Sequence, residues 1–204
     1  CWSTNGCWTT GYSTELASIN SMGLPNKGVE FYIDQCRTYG HTKPHIISVC
    51  GLSLNDNLTL VRSCSDIDQI DLCEINFSCP NLDGKTQLGY NFEMASEHAR
   101  KISEIMGQKK WGMKLPPYFD DSQFDNITGI VDEYRPGFIT CINSIGNGLM
   151  VDVDTETTKI YPRGGRGGIG GSIILPTALA NVRTLRNRIH TSVDIIGCGG
   201  IMCG

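Results

Sequence analysis

No stretch of these 204 residues approaches the roughly 18 consecutive apolar residues needed to cross a bilayer. The first residues also lack the basic and apolar regions of a secretory signal. A soluble chain in the cytoplasm, with no membrane partner, is the expectation, although it opens on Cys1 rather than Met. Basic surplus is absent too: 17 Lys and Arg stand against 21 Asp and Glu, a net charge of −4. Nowhere do cations interleave with aromatics as a nucleic-acid groove requires, so nucleic acid is not an expected partner. The ten cysteines include no C-x-x-C spacing; Cys73 and Cys79, or Cys198 and Cys203, stand too far apart for a zinc or redox motif. They are scattered through apolar segments, as at Cys50, Cys73 and Cys141, which fits thiols of a reducing compartment and no bound metal.

Hydrophobic residues make up 40% of the sequence and charged ones 19%, enough for one sizeable core and ordinary for a globular protein. A single domain over residues 1–204 is expected, since no low-complexity linker interrupts it. From His45 onward, short apolar runs alternate with segments of helical period. The strand candidates are residues 45–50, 70–75, 112–115, 137–142 and 193–197. Between them, Ala95, Ala99, Ile102 and Ile105 form one helical stripe. Phe124, Ile127, Ile130, Val131 and Tyr134 form another. Over residues 175–189, Pro176 suits a first helical turn, and Leu179, Val182, Leu185 and Ile189 fall on one side. A longer insert, residues 146–171, is expected to hold a β-hairpin around Asp154.

Unusual polar residues cluster at the C-terminal ends of all five strand candidates: Cys50-Gly51, Asn76 to Asn81, Lys114, Asn143-Ser144 and Cys198-Gly199-Gly200. A doubly wound sheet uses only the crevice at its switch point. A (β/α)8 TIM barrel recruits every strand end, so the barrel is the expected α/β fold. Since such barrels run to about 250 residues, the chain is expected to be truncated at its N- and C-termini.

Each polar group has a bland reading beside a chemical one. The run Gly164-Gly165-Arg166-Gly167-Gly168-Ile169-Gly170-Gly171 ordinarily reads as an exposed loop, and without Gly-Lys-Ser/Thr it is no nucleotide P-loop. It would also let backbone N–H groups approach a ligand. Gly197-Cys198-Gly199-Gly200, at a strand end, suits a phosphate better. Lys114 either snorkels to solvent or places a cation where a reduced flavin develops negative charge. Asn20, Asn76, Asn81 and Asn143 are either turn formers or a set of amides able to read a planar molecule with carbonyls and ring N–H groups. Cys79 lies between Ser78 and Pro80, with no histidine near in sequence for a Cys-His pair. A thiolate acting as a proton acceptor remains open.

Four segments carry a resemblance. They are Ser18-Ile19-Asn20-Ser21-Met22-Gly23-Leu24-Pro25-Asn26, Asn76-Phe77-Ser78-Cys79-Pro80-Asn81, Asn143-Ser144-Ile145-Gly146-Asn147-Gly148 and Leu175-Pro176-Thr177-Ala178-Leu179-Ala180-Asn181. Together they closely resemble dihydroorotate dehydrogenases, most of all the cytosolic, fumarate-linked class of trypanosomatids and lactic bacteria. The resemblance implies a barrel with FMN over its strand ends, oxidation of dihydroorotate to orotate in pyrimidine (UMP) biosynthesis, and reoxidation of the flavin by fumarate to give succinate. It also implies a homodimer without an iron-sulfur subunit. By the same resemblance Cys79 is the base that takes the C5 proton. Asn20, Met22, Gly23, Leu24, Asn76, Asn81, Asn143 and Ser144 hold the substrate, and Asn76, Lys114, Gly168, Cys198, Gly199 and Gly200 hold FMN.

Some positions depart from the family pattern. Cys50 stands where serine is usual, Tyr161 and Arg163 stand where lysines are expected, and the family's first strand, its Lys-Ser pair and its last strand have no counterpart. Two other functions are weighed against this one: another FMN-dependent dihydropyrimidine dehydrogenase, against which Asn81 speaks, and a degenerate barrel that binds without turnover. The membrane-linked dihydroorotate class uses a serine base, so Cys79 favours the cytosolic class.

Overall fold

The computed structural model describes residues 11–40, 43–78 and 87–203. Cys79 and Asn81 lie outside them. The elements run β1 (Gly11–Ser13), β2 (Ser18–Asn20), α1 (Val29–Tyr39), β3 (Ile46–Val49), α2 (Leu54–Ser65), β4 (Leu72–Asn76), α3 (Phe92–Met106), β5 (Trp111–Leu115), α4 (Asp121–Tyr134), β6 (Phe138–Cys141), β7 (Ile145–Leu149), β8 (Val151–Asp152), β9 (Thr157–Thr158), β10 (Arg166–Gly170), α5 (Leu175–Arg188) and β11 (Asp194–Gly197). The five strand candidates of the sequence correspond to β3, β4, β5, β6 and β11. They form one parallel sheet in the order β11-β6-β5-β4-β3.

Side chains alternate across a strand, so each strand of this sheet has two faces with different partners. Ile47, Val49, Cys73, Ile75, Trp111, Met113, Leu115, Ile139 and Cys141 join the buried core with residues of the flanking helices. On the opposite face stand Ser48, Glu74, Asn76, Gly112, Lys114 and Thr140. Chain starts are set by local chemistry. Ser53 caps α2 by accepting from Asp56 N–H, Asn91 caps α3 through Met94 N–H, and Asp120 caps α4 through Gln123 N–H. The stripes on α3 and α4 face the core as their spacing predicts: Ala95, Ala99, Ile102, Ile127 and Val131 are fully buried.

Two readings of the sequence are corrected. On α5, Leu185 and, just past its end, Ile189 are buried as expected and Val182 packs against the core, but Leu179 is 60% exposed and Ala178 and Asn181 turn inward instead. The polar Asn181 is buried because its amide is satisfied by the backbone of Tyr118. The glycine run is no loop: most of it is β10, an inner strand of a second, antiparallel sheet of order β1-β2-β10-β7. The expected hairpin in the insert is β8 with β9, paired Val151 to Thr158 and Asp152 to Thr157. Among the described residues, no helix is long and apolar enough to cross a membrane, and no cluster of His, Cys, Asp or Glu could hold a metal.

Cys36, Cys64, Cys73, Cys141, Cys198 and Cys203 are free thiols. Cys64 on α2 and Cys73 on β4 share a hydrogen bond that lowers the first thiol's pKa and raises the second's.

Candidate active site

The two sheets meet where β6 ends and β7 begins, and that junction draws distant residues together. Asn76 closes β4, and its strand register sets it beside Lys114 on β5, which in turn pairs with Thr140 on β6. Past β6, the Asn143 N–H donates to the Leu115 carbonyl at 2.9 Å, which pins the turn against β5. From there the Asn143 side-chain nitrogen donates to Asn76 Oδ1 at 3.3 Å. That same oxygen accepts the Ser78 N–H at 2.9 Å, and Asn143 Oδ1 accepts the Ser144 N–H at 2.8 Å. With both amide oxygens engaged by the protein, the amide nitrogen of Asn76 is the end able to donate to a ligand carbonyl.

Ser144 continues the row to the antiparallel sheet. Its hydroxyl occupies the space in which a side chain at Gly168 would stand, so only glycine fits there. Gly168 pairs with Asn20 in the β10–β2 register. A continuous row thus runs Asn20, Gly168, Ser144, Asn143, Asn76, Lys114. At its other side, the Cys198 N–H donates to the Cys141 carbonyl at 2.6 Å, and the Ile142 N–H donates to the Cys198 carbonyl at 2.8 Å. These bonds set the end of β11 against Asn143. Gly199 and Gly200 follow with φ of 122° and 76°, the left-handed region that glycine adopts without strain.

Met22, Gly23 and Leu24 follow β2. Gly23 and Leu24 both have positive φ, and the Asn26 side chain closes the turn by donating to the Leu24 carbonyl and accepting the Gly28 N–H. Leu24 lines a cavity of about 260 Å³ with Asn26, Tyr32, Ser48, Cys50 and Leu60, beside β3.

The segment bearing Cys79 and Asn81 departs from Ser78 and returns at Gln87. Both ends are tied: the Ser78 hydroxyl donates to Gln87 Oε1 at 3.1 Å, and the Gly89 N–H donates to the Phe77 carbonyl at 2.6 Å. Beneath the row lies a group that sequence reasoning missed. Glu74 is only 8% exposed, and its two carboxylate oxygens accept separately from Ser48 Oγ on β3 (2.8 Å) and Thr140 Oγ1 on β6 (2.6 Å). Its signal was the strand period, which puts it on the same face as Asn76.

The row offers amides, a hydroxyl and one cation on a surface that Gly168 leaves shallow. That donor set fits a flat ring bearing carbonyls and N–H groups, and Lys114 fits a ring that gathers negative charge. The family profile described as dihydroorotate dehydrogenase matches residues 10–204. A protein of Lachancea kluyveri named dihydroorotate dehydrogenase (fumarate) is 45% identical over 197 residues, 95% of this chain and 62% of its own length. One of the same name from Saccharomyces cerevisiae is 42% identical over 196 residues, 94% of this chain and 62% of its own. A Streptococcus agalactiae serotype V protein, named putative dihydroorotate dehydrogenase A (fumarate), is 45% identical over the same shares. The chain therefore spans about 62% of the length of the curated relatives it matches. On the profile, the identities and the row of amides beside Lys114, this chain belongs to the dihydroorotate dehydrogenase family.

Proposed function

We propose that the whole protein oxidises dihydroorotate to orotate with FMN and passes the electrons to fumarate. The observation that carries this reading is the continuous row Asn20, Gly168, Ser144, Asn143, Asn76, Lys114. Its donors converge from both sheets on one shallow surface. The five-stranded parallel sheet is then one arc of a (β/α)8 barrel with the site at its strand ends. The protein is a homodimer of the cytoplasm and requires no iron-sulfur subunit.

FMN, when bound, supplies the acceptor for the C6 hydride. Lys114 and the strand-end glycines Gly168, Gly199 and Gly200, with Cys198 and Asn76, are the residues that would hold it. Asn20, Asn76, Asn81, Asn143 and Ser144 grip the carbonyl, ring N–H and carboxylate groups of dihydroorotate, helped by the backbone of Met22, Gly23 and Leu24. Cys79, next to the tied Ser78, accepts the C5 proton as thiolate and returns it to water as thiol. Because the amide oxygens of Asn76 and Asn143 are held by the protein, the two side chains keep their orientation before substrate arrives, which lowers the entropic cost of alignment.

The test is anaerobic reduction of the protein by dihydroorotate, followed by mixing with fumarate, a quinone or NAD. Flavin bleaching by substrate and recovery with fumarate alone are expected. Substitution Cys79→Ala is expected to slow bleaching by at least about 100-fold while flavin content is kept. A protein without flavin absorbance, or one reoxidised only by quinone or NAD, overturns the proposal.

A further inference from the structure

We propose that Glu74 is a positioning residue whose fixed negative charge, one layer beneath the amide row, offsets Lys114 and holds down the reduction potential of the bound flavin. This inference rests on the reading of the site as a flavin site. It goes beyond that reading by assigning a role to a residue that touches neither ring.

Glu74 precedes Asn76 by two residues on β4, so both point to the same face of the sheet. The carboxylate reaches diagonally across β5 to Thr140 on β6, past Gly112, the register partner of both Glu74 and Phe138. A Cβ at Gly112 would strike the Phe138 ring at 2.5 Å, so that ring covers Gly112 on the same face of the sheet. Thr140 and Asn76 are the register partners of Lys114 on its two sides. The charge of Glu74 is therefore tied to one neighbour of Lys114 by a hydrogen bond and to the other by the chain itself.

Each carboxylate oxygen of Glu74 accepts one hydroxyl, from Ser48 and from Thr140, and among the described residues no cation pairs with it. A buried carboxylate held by neutral donors keeps its negative field, whereas one joined to a cation would lose most of it. At about two strand spacings, roughly 10 Å, and an effective dielectric of about 20, one unit charge shifts an equilibrium about tenfold. Reduction places negative charge on the flavin, so the Glu74 charge opposes it and Lys114 favours it.

The experiment measures the flavin midpoint potential of the whole, flavin-loaded protein against reference dyes, for the wild type, Glu74→Gln and Ser48→Ala. Glu74→Gln keeps shape and hydrogen-bonding capacity but removes the charge. It is expected to favour reduced flavin about tenfold, which for a two-electron couple is an upward shift of about 30 mV. Ser48→Ala keeps the charge and removes one bond, and is expected to give no upward shift. An unshifted potential in Glu74→Gln with normal flavin content overturns the inference, as does an equal upward shift in Ser48→Ala. Should Glu74→Gln not hold flavin, the variant Ser48→Ala/Glu74→Leu/Thr140→Val replaces the whole polar cluster by apolar groups and is expected to show the same rise. Loss of flavin from both makes Glu74 a fold-stability residue and also overturns the inference. A wild type that binds no flavin defeats the functional reading itself and leaves this role without a cofactor to act on.

Discussion

Cys141 stands on β6 with its side chain in the core, and burial pushes its thiol from the ordinary 9.0 up to about 12. The unfolded chain releases this proton near pH 9, while the folded chain keeps it. Stability from the protonated thiol is therefore complete below about pH 9 and drains away as pH rises toward 12, by about 1.4 kcal/mol per pH unit. The urea midpoint is expected to fall between pH 9 and 11, and Cys141→Ala is expected to flatten that fall by about 1 kcal/mol per unit at some cost near neutrality. Urea titrations followed by far-UV circular dichroism at several pH values check this, and an unchanged slope in Cys141→Ala would sink it. A buried structural thiol was legible in the sequence, because Cys141 sits inside a run of apolar residues. Glu74 was not, because a carboxylate within a strand ordinarily reads as a solvent-facing residue. Only the hydroxyls of Ser48 and Thr140, brought from β3 and β6, make its burial tolerable.

Helix α5 shows how an element can be foreseen and one of its inward residues missed. Pro176 in the first turn and the apolar content of the segment marked a helix, and one is present. Its inward face keeps Leu185 but takes Asn181 in place of Leu179, because a side-chain amide can serve as a substitute backbone. Asn181 Oδ1 accepts the Tyr118 N–H at 2.8 Å, and its nitrogen donates to the Tyr118 carbonyl at 3.1 Å and to Thr177 at 3.0 Å. These bonds secure the turn between β5 and α4, just beyond Lys114. In Asn181→Leu, two buried backbone groups lose their partners at about 1–3 kcal/mol each. A loss of about 2–4 kcal/mol in unfolding free energy is expected from urea denaturation. A loss under about 0.5 kcal/mol would show that the amide is dispensable. Strand β10 was missed for a related reason. Glycines carry no β-propensity, and Gly168 is in a strand because β10 pairs with β2 and β7 on its two sides, while Ser144 leaves room only for glycine there.

At the level of the whole molecule, β3 and β11 are the outermost strands of the parallel sheet among the described residues. Edge strands with exposed apolar groups are templates for further pairing, and Ile46 on β3 is 53% exposed. The 204-residue chain expressed alone is therefore expected to self-associate. Placing a charge on that edge by Ile46→Lys is expected to slow the rise of light scattering several-fold. Equal aggregation rates would remove the β3 edge as the cause.

The division between what was legible and what was not follows the range of the interactions concerned. The strands of the parallel sheet, the helices α3, α4 and α5, and the grouping of polar residues at strand ends were determined by the sequence itself. Each depends on residues a few positions apart, at a period of two or a period of 3.6. The tertiary structure alone decided which strand ends touch. Asn76 meets Asn143 across 67 positions of sequence, Ser144 meets Gly168 only because β10 pairs with β2 and β7, and Glu74 reaches Thr140 only because β4, β5 and β6 lie side by side. Such contacts have no local signature, since they arise when the chain closes long loops and the burial of a common core offsets the lost entropy.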